Sequence, residues 1–135
     1  MSITLTGQDK LTLRTAAYGA VTLLAAADAA GSPHKIATNG SIALASATGP
    51  IGHVLAEKSK LNTFDGKSVA EIADHVLPAL TAATTLLNKQ DPVEADNFRG
   101  IVAIAIEAAT QAREGEPSPT MVEMTRKITA ALDAA

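Results

Sequence analysis

Four side chains in this sequence are spaced for metal chemistry. His53-x-x-x-Glu57 and Glu71-x-x-x-His75 each set an imidazole and a carboxylate one helical turn apart. Two such pairs on adjacent helices would supply the nitrogen and oxygen ligands of a divalent metal. If the helices that carry them run antiparallel across the 59–67 connection, both pairs fall at similar heights. Three features oppose this. The Glu-x-x-His repeat of di-iron bundles does not occur. At about 100° per residue, His53 lies nearly opposite the stripe of Ile51 and Leu55, and Glu71 and His75 sit on a flank. Helix ends are also where charged residues ordinarily gather. The expectation is solvated or interface residues, with no metal and no cofactor.

Other chemistry is weaker still. Serine and threonine are plentiful, but no Gly-x-Ser-x-Gly elbow is present and three scattered histidines form no triad. Gly49-Pro50-Ile51-Gly52 lacks the Gly-Lys-Ser/Thr ending of a phosphate loop. His34 and Lys35 open a helix at the dipole end that slightly disfavours cations, either as a chance surface placement or as an anion or partner contact. The balance leans against an enzyme.

Composition narrows the class. A chain of 135 residues suits one domain, 1–135, with a real core. Apolar residues make up 47%, aromatics only 2%, and the rings are Tyr18, Phe64 and Phe98. Alanine-rich cores suit closely packed helices rather than sheets. The net charge of −3 speaks against nucleic acid or anionic lipid as partner. With no cysteine, disulfides and thiolate chemistry are excluded. The start has no basic segment followed by an apolar one, so no signal peptide is expected. The uncharged run 36–56 is long enough for a bilayer, but Asn39, Ser41, Ser46 and His53 make it too polar. A soluble, cytoplasmic protein is expected.

The elements follow from caps and period. Thr6 with Asp9, and Ser68 with Glu71, read as capping boxes. Ser32-Pro33 and Asp91-Pro92 read as a cap followed by a first-turn proline. Five helices are expected near 7–30, 33–58, 69–89, 92–114 and 119–134. The fold class is an all-α, up-down bundle of four long helices plus a C-terminal fifth. The second helix is read as one helix kinked at Pro50, with two separate helices broken at Gly49 as the alternative. The third contains Pro78. If Pro50 and Pro78 lie at similar depth, the bent backbones would open a small pocket between these two helices. The fourth is expected to turn Phe98, Ile101, Ile104, Ala105, Ala108 and Ala112 inward, and the fifth Met121, Met124, Ile128 and Leu132.

The second helix organises the reading. Its core stripe is Ile36, Leu44, Ala47, Ile51 and Leu55, while its opposite side carries Ile42, Ser46, Gly49 and His53, small and uncharged. A bundle helix normally shows a charged outer face. Either this helix is the central one, or its second face meets a partner. A homodimer through Ile42, Ser46, Gly49 and His53 is expected, or contact with another protein. The rival function is a bundle that binds a small ligand or metal in the pocket between the second and third helices. The alanine usage is like that of a high-GC bacterium, and the chain resembles the small all-α proteins of such bacteria, a likeness that carries no site.

Overall fold

The computed structural model describes residues 3–28, 33–56, 68–112 and 116–134. Among them every regular element is helical: α1 (Gly7–Ala27), α2 (Pro33–Ala45), α3 (Gly49–Ala56), α4 (Val69–Gln90), α5 (Pro92–Gln111) and α6 (Pro119–Asp133). The starts obey the caps read from the sequence. Thr6 Oγ1 accepts the Asp9 N–H at 3.0 Å, while the Thr6 N–H donates to the Asp9 carboxylate at 3.1 Å. Ser68 and Glu71 repeat the reciprocal pair at 3.2 and 3.1 Å. Asp91 caps α5 by accepting the Val93 N–H, and Ser118 caps α6 by accepting the Met121 N–H, each followed by proline. These side chains satisfy N–H groups that the helix itself cannot. The expected glycine stops at Gly31 and Gly115, the Ser32 cap and the 59–67 turn lie outside the described residues.

The segment 33–58 is not one kinked helix. α2 ends at Ala45, and α3 starts afresh at Gly49. Proline disfavours a helical conformation in the residue before it. Gly49 therefore turns to φ +80°, a region open to glycine. Pro50 falls in the first turn of α3, where a missing N–H costs nothing. The apolar stripe keeps its phase across the break, with Ile51, Val54 and Leu55 buried like Ile36 and Leu44. That continuity is why the pattern reads as one helix.

Nor is α2 the central helix. α1 packs against every other helix, most extensively against α4 and α2. Eleven of its 21 residues are buried, on all sides. An all-round apolar helix belongs at the centre. Close approach requires residues without bulk. A Cβ on Gly19 would lie 2.7 Å from Val76 Cγ2 of α4, and one on Gly40 of α2 would lie 2.7 Å from Val21 Cγ1. α5 in turn packs on α2 and α4 and meets α1, while α2 and α4 make no contact with each other. α6 lies along α4 and α1, tied by Thr81 Oγ1 to the Ala131 carbonyl at 2.7 Å and by Arg99 Nε to that of Leu132 at 3.2 Å. The N-terminal strap is held by a two-way pair between Thr4 backbone and the Gln90 amide, 2.8 Å in each direction.

The α2–α3 corner is tight at one point. A Cβ on Gly52 would fall 2.3 Å from the Ala47 carbonyl oxygen, a backbone atom that cannot swing aside. Gly100, exposed in mid-helix, has nothing within 4 Å of its Cβ position. Gly52→Ala should therefore cost about 2 kcal/mol or more in urea unfolding, by forcing strain into a packed corner. Gly100→Ala should add about 0.5–1 kcal/mol, the helical advantage of alanine. Equal effects from the two changes would contradict the corner geometry.

Candidate functional site

Three of the four residues spaced for metal binding, His53, Glu71 and His75, are among the described residues. His53 is exposed on α3, in a shallow depression with Leu5, Lys10 and Pro50. Glu71 is engaged as the reciprocal partner in the α4 capping box, and His75 is exposed one turn further along. α3 and α4 make no contact, so neither histidine faces the other across a helix pair. Glu57 lies outside the described residues. No group of three His, Asp or Glu side chains placed to hold a metal occurs among the described residues. Of the helices between which a pocket was expected, α2 and α4 do not touch, and α1 packs against both. Pro50 and Pro78 are each exposed, on helices that do not meet.

What the fold does assemble is a seam between α2 and α5. Ser46, Ala47 and Gly49 meet Asn97, Gly100 and Ile104 around a groove of about 610 Å³. A second depression of about 440 Å³ lies between Asn39, Ile42, Ala108 and Gln111. The C-terminal half of α2 thus faces the N-terminal half of α5, and the reverse, so the two helices run antiparallel. The outer residues of α2 step by four, three and four: Lys35, Asn39, Ile42, Ser46. Those of α5 do the same: Val93, Asn97, Gly100, Ile104. A seven-residue repeat of this kind is the signature of a helix face built to pack on another helix.

That face carries exposed branched apolar side chains among its polar ones. Among the described residues the large apolar side chains that are exposed are Ile42 at 58%, Val93 at 63%, Ile104 at 62% and Val122 at 57%. Three of these four lie on α2 and α5; Val122 is alone on α6. Ile104 was expected inward and points out; Val102, Ile106 and Ala109 take the buried positions instead. Of the expected interface, Ile42, Ser46 and Gly49 lie along this seam. His53 does not join them, because the break before α3 carries it to the depression beside the N-terminal strap. The sequence reading missed the α5 half of the face, whose signal is the run Val93, Asn97, Gly100 and Ile104.

Buried Arg14 and partly buried Tyr18 position the neighbouring α3. Arg14 Nε donates to the Val54 carbonyl at 3.0 Å, and the Tyr18 hydroxyl donates to that of Leu55 at 2.7 Å. These are terminal carbonyls that an eight-residue helix leaves without partners of its own. Glu94, in the first turn of α5, is buried, its Oε1 accepting from the Asn97 amide at 3.0 Å. No family model, curated protein or solved structure matches the chain.

The Tyr18 anchor has a pH signature. Burial raises its hydroxyl above the ordinary 10.0, with the Arg14 charge pulling partly back. The folded state therefore holds this proton more tightly than the unfolded chain. Its contribution is fully present below the unfolded value near 10 and is lost as pH rises through the folded one. Tyr18 is the only tyrosine and there is no tryptophan, so phenolate absorbance reads this one group. Its titration should fall above that of free tyrosine. Tyr18→Phe should lower stability by about 1 kcal/mol at neutral pH. A Tyr18 that titrates like the free amino acid would break the account.

Proposed function

We propose that this chain is a non-enzymatic helical-bundle protein that works by self-association, as a homodimer joined through the outer face of α2 and α5. Its architecture on this reading is an up-down bundle of α1, α2, α4 and α5, with α3 a broken continuation of α2 and α6 packed across one side. The order of packing supports that arrangement, since α1 touches α2 and α4, and α5 touches the same two. The observation that carries the function is the placement of Ile42 and Ile104, both more than half exposed, along the seam between α2 and α5. Exposed apolar patches on a protein of this size mark contact sites. A second copy is the partner favoured by the chemistry. A neutral face can meet its own image without like-charge repulsion, and two-fold homodimers are the commonest assembly.

The size of the face sets the strength. Two helices about 10 Å wide and 20–30 Å long present roughly 400–600 Å² per copy, at the lower edge of specific interfaces. A reversible dimer follows, rather than an obligate one.

Light scattering of the purified protein should show a dimer at high micromolar concentration that dissociates on dilution. Ser46 is exposed, so Ser46→Arg should leave the helical signal and melting temperature unchanged while shifting the protein to monomer. Ile104→Glu should weaken the dimer by roughly tenfold or more, the loss expected when an anchor at the centre of an interface is removed. A wild-type protein that stays monomeric throughout would end the proposal.

A further inference from the structure

The shortest of the described helices is α3, at eight residues. A helix of that length is not stable by itself in water, so its place depends on what it touches. It meets α1, α2 and α5 but neither α4 nor α6. Open space also flanks it. The groove along the α2/α5 seam reaches its first residue, Gly49. A depression of about 410 Å³ lies between Pro50, His53 and Val54 on one side and Ile3 and Leu5 of the N-terminal strap on the other.

The two ends of α3 are held in different ways. At its start the Ser46 and Ala47 N–H groups still return to α2, donating to the Ile42 and Leu44 carbonyls at 3.0 and 3.3 Å. The change of direction therefore falls at Thr48 and Gly49, where φ is +80° at the glycine. One or two residues of this kind can absorb a hinge rotation. At its end, the Val54 and Leu55 carbonyls accept from Arg14 Nε and the Tyr18 hydroxyl of α1. Arg14 and Tyr18 stand one turn apart on α1, so a single outward movement breaks both bonds. Between hinge and latch, Ile51, Val54 and Leu55 form the buried face.

We propose that α3 is a latched lid, which swings outward as one body about Thr48 and Gly49 while the other helices stay packed. Its opening uncovers the Arg14 and Tyr18 donors together with the apolar surface beneath Ile51 and Leu55. No second copy of the chain takes part, so the lid stands apart from self-association.

The chain has no cysteine, so one buried cysteine reports when its own position opens to a thiol reagent. Ile51→Cys and Val54→Cys sample the two halves of α3, and Leu80→Cys samples the core of α4. Each is labelled under native conditions over a range of low urea concentrations. Both α3 thiols should react at one rate, about tenfold or more faster than Leu80→Cys. Their rates should depend little on urea, because a local opening exposes little surface. Adding Tyr18→Phe should speed both by about fivefold, the effect of losing one hydrogen bond. Labelling of α3 as slow as that of Leu80→Cys, with the same urea dependence, would overturn the lid. A fast Val54→Cys beside a slow Ile51→Cys would overturn it as well, leaving only fraying of the last turn. Rates indifferent to Tyr18→Phe would remove the latch. If the cysteine variants fail to fold, hydrogen exchange of the wild-type Val54 and Leu55 amides against those of α4 makes the same comparison.

Discussion

The whole structure depends on how closely other helices can approach α1. This helix is buried around its circumference, so its neighbours are limited by the bulk of its side chains. Ala16, Ala17, Gly19 and Ala20 supply almost none, and all four are buried. Val76 and Val21 then fill the space that Gly19 and Gly40 leave. Alanine-rich contacts bury less apolar area per residue than leucine-rich ones, so the bundle must recover attraction through density of packing. The larger side chains of the core include Leu13, Leu24, Leu80, Leu87 and Phe98, all fully buried. With two aromatic rings among the described residues, Tyr18 and Phe98, little else could fill a misfit.

Because α1 takes the centre, α2 is left with a narrow duty. It buries Ile36, Gly40 and Leu44, one side chain per turn, against α1 and α5. α3 adds Ile51, Val54 and Leu55, fastened by hydrogen bonds that Arg14 and Tyr18 donate from α1. A buried guanidinium is costly unless it is bonded, and helix-end carbonyls are suited acceptors, carrying the negative end of the helix dipole. One side chain thus satisfies its own burial and the end of a short helix together.

The legible parts of the fold were those governed by local chemistry. Thr6 with Asp9, Ser68 with Glu71, and Asp91 with Pro92 act through hydrogen bonds within one turn, so the sequence order nearly determines them. The illegible parts were decided at a distance. Alanine occurs on every side of α5, so its facing rests on a few branched residues. Ile101, Val102, Ile104 and Ile106 admit more than one phase, and only contact with α1 and α2 selects Val102 and Ile106 for the interior. The uncharged sequence of α2 suggested a central helix for a sound reason, yet lack of charge does not distinguish burial within a chain from burial between chains. His53 failed as a neighbour of Ser46 because the chain breaks between Ala45 and Gly49 and changes direction there, whereas helical spacing assumes that direction is constant.

The outer face of α2 therefore has no internal explanation. Solvent would tolerate lysine or glutamate at Asn39, Ile42 and Ser46, and such residues would improve solubility without disturbing Ile36 or Leu44. Elsewhere the surface does use charge, as where α6 pairs Arg126 with Glu123. The contrast is local, running along a single seam shared by two helices that touch throughout their length. Composition alone does not account for it, since alanine enrichment acts on every helix and would not select isoleucine for exposed positions on just these two. On the proposed reading a contacting helix pair would account for it, its repeat matching that of Lys35, Asn39, Ile42 and Ser46.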